Sequence, residues 1–329
     1  MAKKVSILGA AGTLGSCAAY EIATQGLADE LVLLDKNENL LKCHMMDIQT
    51  ALTGIQDTTV REGGYSDLAE SDVVVVAAGA PWRLIGNRME LLGDSLPIIK
   101  SLTEQIFRFC PQAVVITATN PVDPLNYAMH RISGMDRKKL LGYSLNDSLR
   151  FRLTVARLLE VASTKVEGLV VGEHGPHQVI LFSTLRVAGH AANLNEEQKR
   201  SVCEEIPKAL DAYEKLRTGR TSGWTSAVGL SAMVAAILGD TGAVFPASVV
   251  LEGEYGCRGL SASLPVALGR NGWRNLVNLE MTTSETEQFA AAADYLNQTA
   301  RIMDDLIEKE GTRPPDAMHD ANSRIEGEL

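Results

Sequence analysis

A chain of 329 residues with 45% apolar and 22% charged residues has the make-up of an ordinary globular protein, long enough for one large or two closely packed domains. Its longest apolar runs, such as residues 73–80, stop well short of the roughly 20 residues needed to cross a bilayer, and the first residues lack the charged-then-apolar pattern of a secretory signal, so neither a membrane nor export is expected. A formal charge of −10 argues against a nucleic-acid partner, which would need clustered Lys and Arg.

The first half alternates short β-rich runs with amphipathic stretches. Residues 5–9, 31–35, 73–78, 114–120 and 140–144 read as strands, and residues 12–24, 37–52 and 87–109 between them have helical periodicity. Strands that are apolar almost throughout, rather than on alternate residues, imply a parallel sheet covered on both faces. The expected fold class is therefore α/β with a doubly wound parallel sheet. The texture changes after Ser144. Asn146 is read as an N-cap for a helix running to Val161, followed by strands over 166–171 and 179–187, a charged helix over 195–217, another over 222–238 and an amphipathic helix over 284–310. These elements predict a second, α+β domain. The expected boundaries are 1–145 for the first domain, 146–310 for the second, and 311–329 for a polar, disordered tail.

The run Gly9-Ala-Ala-Gly12-Thr-Leu-Gly15 closes the first strand and opens the first helix, the context in which a glycine motif carries information. Missing side chains allow a tight turn and close approach of a pyrophosphate, and the helix amino terminus supplies N–H groups and partial positive charge. Asp35 ends the next strand. A carboxylate there can accept hydrogen bonds from the adenosine ribose hydroxyls and would repel a 2′-phosphate, which selects NAD over NADP. The spacing is Gly-x-x-Gly-x-x-Gly rather than the commoner Gly-x-Gly-x-x-Gly. The five cysteines (Cys17, Cys43, Cys110, Cys203, Cys257) are scattered, with no Cys-x-x-Cys pair to suggest a disulfide framework or a zinc site, and a reducing cytoplasm fits them best. No metal is expected.

Several further segments, in order, match one family. Together with the glycine run and Asp35, the Ala-Ala-Gly-Ala-Pro run with Arg88, the Thr-Asn120-Pro121-Val-Asp run, Asn-Asp147-Ser-Leu-Arg150-Phe-Arg and Gly-Glu-His174-Gly resemble the lactate/malate dehydrogenase family across nearly the whole chain. The resemblance implies a Rossmann domain followed by an α+β substrate domain. It also implies hydride transfer between NAD, contacted by Gly9, Gly12, Gly15, Asp35, Ala78, Gly79 and Asn120, and the C2 carbon of a small L-2-hydroxy or 2-oxo acid. The chemistry needs one group that takes the hydroxyl proton in oxidation and returns it in reduction, and a histidine titrates in the right range for both. By resemblance that group is His174, with Asp147 on its other ring nitrogen. Arg150, three residues beyond Asp147, would share a helix face with it and hold the substrate carboxylate through a guanidinium fork, although a simple helical ion pair explains the same spacing. Arg88 would swing in to polarise the reacting carbonyl, and Asn120, before a proline where a cis bond would fit, would bond the substrate oxygen.

The residue six before that arginine usually reads the substrate side chain in this family, as arginine for a second carboxylate or glutamine for a methyl. Here it is Trp82. Trp224 falls where a small residue usually lines the pocket floor. Two such rings could stack on a large apolar side chain or fill the pocket so that only a small acid fits. Arg83 is either a reader of a second carboxylate or an exposed loop cation. Asn146 replaces an apolar residue beside Asp147 and, besides capping, could tune the pocket. Alternative functions are an NAD-dependent glycosidase sharing the dinucleotide domain, which lacks its Cys-His pair here, or an inactive structural homologue, which would show a damaged catalytic set. The resemblance implies a homodimer or homotetramer.

Overall fold

In the computed structural model, residues 2–80, 88–216, 218 and 222–311 are described, with backbone alone at 88–91, 209–214, 310 and 311. The first half runs β1 (Lys4–Leu8), α1 (Thr13–Thr24), β2 (Glu30–Leu34), α2 (Glu38–Ala51), β3 (Thr59–Glu62), β4 (Val73–Val76), α3 (Arg88–Phe109), β5 (Val114–Thr117), α4 (Val122–Ser133) and β6 (Leu140–Tyr143). All four residues of β4, β5 and β6 are buried, as expected for central strands shielded on both faces. The strands lie in the order β3-β2-β1-β4-β5-β6, every neighbouring pair parallel, so the order reverses beside β1 and opens a crevice at the carboxyl ends of β1 and β4.

The second half runs α5 (Leu145–Leu158), β7 (Val166–Gly172), β8 (Gln178–Val187), β9 (His190–Ala191), α6 (Glu196–Lys215), α7 (Gly223–Leu238), β10 (Val244–Glu252), β11 (Arg258–Gly269), β12 (Gly272–Leu276) and α8 (Thr283–Gly311). Its strands continue the same sheet through β6-β10-β11-β7-β8-β9, with antiparallel pairing from β10 onward. The seam is close: Ser248 of β10 faces Gly142 of β6, and a side chain at Gly142 would meet Val122 and Ser248. The main core runs through both halves, while a smaller one, around Phe151, Val166, Val170, Leu185 and Val202, lies under α5 and α6.

Several elements depart from what periodicity predicts. Periodicity assigns no element to residues 239–283, where β10 and β11 form a long hairpin. Pro246 and Pro265 stand opposite each other in it, and proline normally argues against a central strand. Its inward serines also read as polar, although Ser248 and Ser261 are buried and joined hydroxyl to hydroxyl at 2.8 Å. Helix α4 is hidden by Pro121 at its N-cap and Pro124 in its first turn, where a missing N–H costs nothing because those donors have no helical acceptor. Asn146 is not the N-cap of α5: Ser144 holds that place, and Asn146 is buried one residue inside the helix. Its amide donates to Ser226 Oγ at 2.8 Å and its oxygen accepts from the Tyr143 hydroxyl at 2.8 Å, clamping α5 against α7. Of the expected tail over 311–329, Gly311 instead closes α8, and the rest lies outside the described residues.

Candidate active site

The glycine loop is shaped by three different demands. Gly9 has φ +88°, a left-handed conformation that suits glycine, and a side chain there would strike the backbone of Ala78. Gly15 lies in α1, where a Cβ would drive into the Gly9 carbonyl oxygen, so its absence lets helix and strand pack closely. Gly12, the N-cap of α1, is different. A Cβ at Gly12 would meet only the Gly9 oxygen, at 3.4 Å, an ordinary contact. The protein itself does not require glycine there, whereas a pyrophosphate lying over the loop would. The first turn of α1 has no side-chain cap and no acidic residue, which leaves its N–H groups directed at whatever anion approaches. This cradle fits a dinucleotide. The contrast predicts that Gly15→Ala lowers thermal stability by roughly 1–3 kcal/mol through overpacking, while Gly12→Ala leaves the melting temperature near wild type and weakens NADH binding. Calorimetry and fluorescence titration of the two variants check the pair.

Asp35 follows β2 and is already committed in part. Its Oδ2 accepts the Ala11 N–H at 2.9 Å and its Oδ1 accepts the Asn37 N–H at 2.9 Å, so it braces the glycine loop from the side where a ribose would lie, and each oxygen retains a lone pair. Ala78 and Gly79 leave β4 across the crevice. The Thr119 hydroxyl donates to Ala78 O at 2.7 Å, and a side chain on Gly79 would collide with Thr119. Exposed Asn120 then precedes Pro121 through a cis peptide bond.

On the other side of the crevice, α5 and the turn after β7 bring three residues together. Asp147, in the first turn of α5, places Oδ2 2.6 Å from His174 Nδ1 and Oδ1 3.0 Å from Arg150 Nη1. The ion-pair and carboxylate-clamp readings of Arg150 are thus compatible, since its remaining N–H groups have no partner among the described residues. The next residue, Phe151, is fully buried and meets the Phe182 ring edge-on at 5.5 Å, and Arg152 Nε donates to Gly168 O at 3.0 Å. These contacts fix the roll of α5 and so the direction of the face that carries Asp147 and Arg150. With Nδ1 facing a carboxylate, the ring proton of neutral His174 sits on Nδ1, leaving Nε2 as the basic nitrogen. Sequence reasoning missed Asp123. This side chain in the first turn of α4 is 2% exposed and accepts the His174 backbone N–H at 2.7 Å. Its only sequence signal is its place directly after Asn120-Pro121-Val122.

Trp224 stands on the first turn of α7 and is 69% exposed, so it does not form a buried pocket floor here. Trp82 and Arg83 lie outside the described residues, as does the side chain of Arg88, whose backbone opens α3. Among the described residues there is no cluster of His, Cys, Asp and Glu suited to a metal, and no helix is long and apolar enough to cross a membrane.

The patterns of the lactate/malate dehydrogenase NAD binding domain and of its alpha/beta C-terminal domain match residues 3–142 and 145–305. The chain belongs to the lactate/malate dehydrogenase family. It is similar to the malate dehydrogenase of Natronomonas pharaonis, at 38% identity over 89% of this chain and 97% of that one. It is also similar to the L-lactate dehydrogenase of Halalkalibacterium halodurans, at 31% identity over 89% and 95%. Among solved structures, the lactate dehydrogenase of Cryptosporidium parvum, complexed with lactic acid and nicotinamide adenine dinucleotide, superposes with a TM-score of 0.87 at 28% identity, covering 92% of this chain and 98% of that one. As a member of this family the protein is an NAD-dependent 2-hydroxy acid dehydrogenase, with NAD as its cofactor on the Rossmann half.

Proposed function

We propose that the protein interconverts an L-2-hydroxy acid and its 2-oxo acid with His174 as the proton donor and acceptor. The observation that carries this reading is the single carboxylate of Asp147 bridging His174 and Arg150. Bound NAD supplies the hydride acceptor in one direction and the donor in the other. Gly9, Gly12, Gly15, Asp35, Ala78, Gly79 and Asn120 would hold it along the crevice. Arg150 anchors the substrate carboxylate with the N–H groups that Asp147 leaves over, and this fixes the acid end against α5. Arg88 and Asn120 polarise the C2 oxygen. His174 Nε2 removes the hydroxyl proton during oxidation and returns it during reduction, while Asp147 holds the ring and stabilises the imidazolium. The domain boundary of this reading falls at residue 145, and the working unit is a homodimer or homotetramer in the cytoplasm.

Within this class we assign substrate choice to Trp82. An indole carries no positive charge, so a second carboxylate beside it would lose its water without gaining an ionic partner, which favours a monocarboxylic 2-oxo acid. A second reading, malate, is favoured by the 38% identity to a malate dehydrogenase and would use Arg83 as the second cation. The deciding experiment ranks kcat/KM for pyruvate, oxaloacetate, phenylpyruvate, 2-oxoisocaproate and glyoxylate by NADH consumption. A monocarboxylate at the head is expected, with its size reporting whether the ring stacks or blocks. Oxaloacetate at the head, with that preference lost in Arg83→Ala, overturns the Trp82 reading in favour of malate.

A further inference from the structure

We propose that Asp123 is a positioning residue for His174, a second carboxylate that holds the histidine turn through its backbone N–H and favours the imidazolium. The inference rests on the reading of His174 as the proton donor.

Asp147 meets the His174 ring at Nδ1, whereas Asp123 meets the main chain of the same residue, its Oδ2 2.7 Å from the His174 nitrogen. The two carboxylates come from different helices, α5 and α4, so the histidine is fixed at both its side chain and its backbone. Asp123 Oδ1 is buried with no hydrogen-bond partner among the described residues. A carboxylate so enclosed keeps its charge only if nearby groups favour it. Around it stand Asn126 on its own helix, the Ser248 hydroxyl of β10, Glu173 and His174 of the turn, and Tyr295 and Thr299 of α8. Burial pushes the Asp123 carboxyl up to about 6, the Glu173 charge adds to the rise, and the Ser248 hydroxyl, the His174 N–H and the His174 charge oppose it.

Glu173 is itself engaged: its Oε2 accepts the His177 N–H at 2.7 Å and lies 2.9 Å from His177 Nδ1, and that ring stacks on Tyr295 at 3.9 Å. The turn from 173 to 177 is therefore closed on itself by Glu173 and tied to the Rossmann half by Asp123. The tie comes from the segment that also carries Asn120, so moving the histidine moves the oxygen-polarising side as well.

Coulomb coupling between two ionisable groups is reciprocal: if charged His174 lowers the proton affinity of Asp123, ionised Asp123 raises that of His174. Removing the Asp123 charge must shift the His174 titration toward acid. In 2-oxo acid reduction, which needs the protonated ring, the alkaline limb of the kcat/KM profile moves to lower pH. In hydroxy acid oxidation, which needs the neutral ring, the acid limb moves the same way.

The test compares wild type, Asp123→Asn and Asp123→Ala in pH profiles of both directions, with NADH affinity by fluorescence and His174→Asn alongside. Asp123→Asn keeps an oxygen for the His174 N–H and loses the charge. It is expected to move both limbs acidward by about one pH unit, to reduce 2-oxo acid turnover severalfold at pH 8, and to leave NADH affinity within about twofold. Asp123→Ala loses the acceptor as well, and a further fall of about tenfold in kcat is expected, consistent with an unsatisfied buried N–H. Limbs that superimpose on wild type in Asp123→Asn overturn the proposal, whatever happens to stability, because a purely structural residue would change amplitude without moving the limbs. Should neither variant fold, wild-type protein selectively 15N-labelled at histidine decides the matter. The His174 amide should titrate in two steps, one from its ring and one from Asp123, and a single step overturns the proposal. Retained turnover in His174→Asn would instead sink the reading of the proton donor and leave the Asp123 contact to be judged by the amide titration.

Discussion

Replacing His174 with asparagine lowers kcat in both directions by about a hundred- to ten-thousandfold, the usual contribution of a positioned acid or base, while NADH binds with nearly wild-type affinity. Asparagine still offers an N–H to the Asp147 carboxylate, so the contact at 2.6 Å has a neutral substitute and the turn after β7 keeps its tie to Asp123. What is lost is a group that can exchange a proton near neutral pH. The cofactor cradle lies on the other side of the crevice, on β1 and α1, and is untouched. Stopped-flow turnover and fluorescence titration on one preparation separate the effects. Turnover within tenfold of wild type would remove His174 from the mechanism, and a parallel loss of NADH affinity would show that the substitution had damaged the crevice instead.

Replacing Arg150 with lysine raises KM for the 2-oxo acid by about ten- to a hundredfold, as expected for the loss of one charge-assisted hydrogen bond to a carboxylate. Arg150 spends one nitrogen on Asp147, at 3.0 Å, and has others left for a substrate. An ammonium is a point charge and cannot present the planar fork, so its donors must divide between Asp147 and the substrate without the matching geometry. The effect should fall on KM and kcat/KM more than on NADH affinity. An unchanged KM would leave Arg150 as a helical ion pair and require another cation for the acid group.

Much of this site is legible in the sequence because its chemistry is written in short runs. The strand, glycine loop and helix of the cofactor cradle are consecutive, so Gly9, Gly12, Gly15 and Asp35 are read from local context. Asp147 and Arg150 sit three residues apart on one helix, and that spacing alone brings them to one face. The parts that stayed hidden depend on distant approach. Nothing in the run around Asp123 shows that a backbone N–H 51 residues away comes to rest on it. Asn146 has the residue type of a cap, and only the arrival of Ser226 from α7 makes it a clamp. The hairpin of β10 and β11 is obscured because its prolines, which lack an N–H, count locally against a strand, and because only the pairing of Ser248 with Ser261 satisfies hydroxyls that would otherwise count against burial.

The seam between β6 and β10 bears on how members of this family can be recombined. Where Gly142 of β6 faces Ser248 of β10 the two halves meet with no room for a side chain on the glycine. A chimera joining the first half of this chain to the second half of a relative is expected to close the sheet as here only if the residue facing Gly142 leaves it the space that Ser248 does. Exchanging whole halves therefore puts the fit of the joint at the mercy of one glycine.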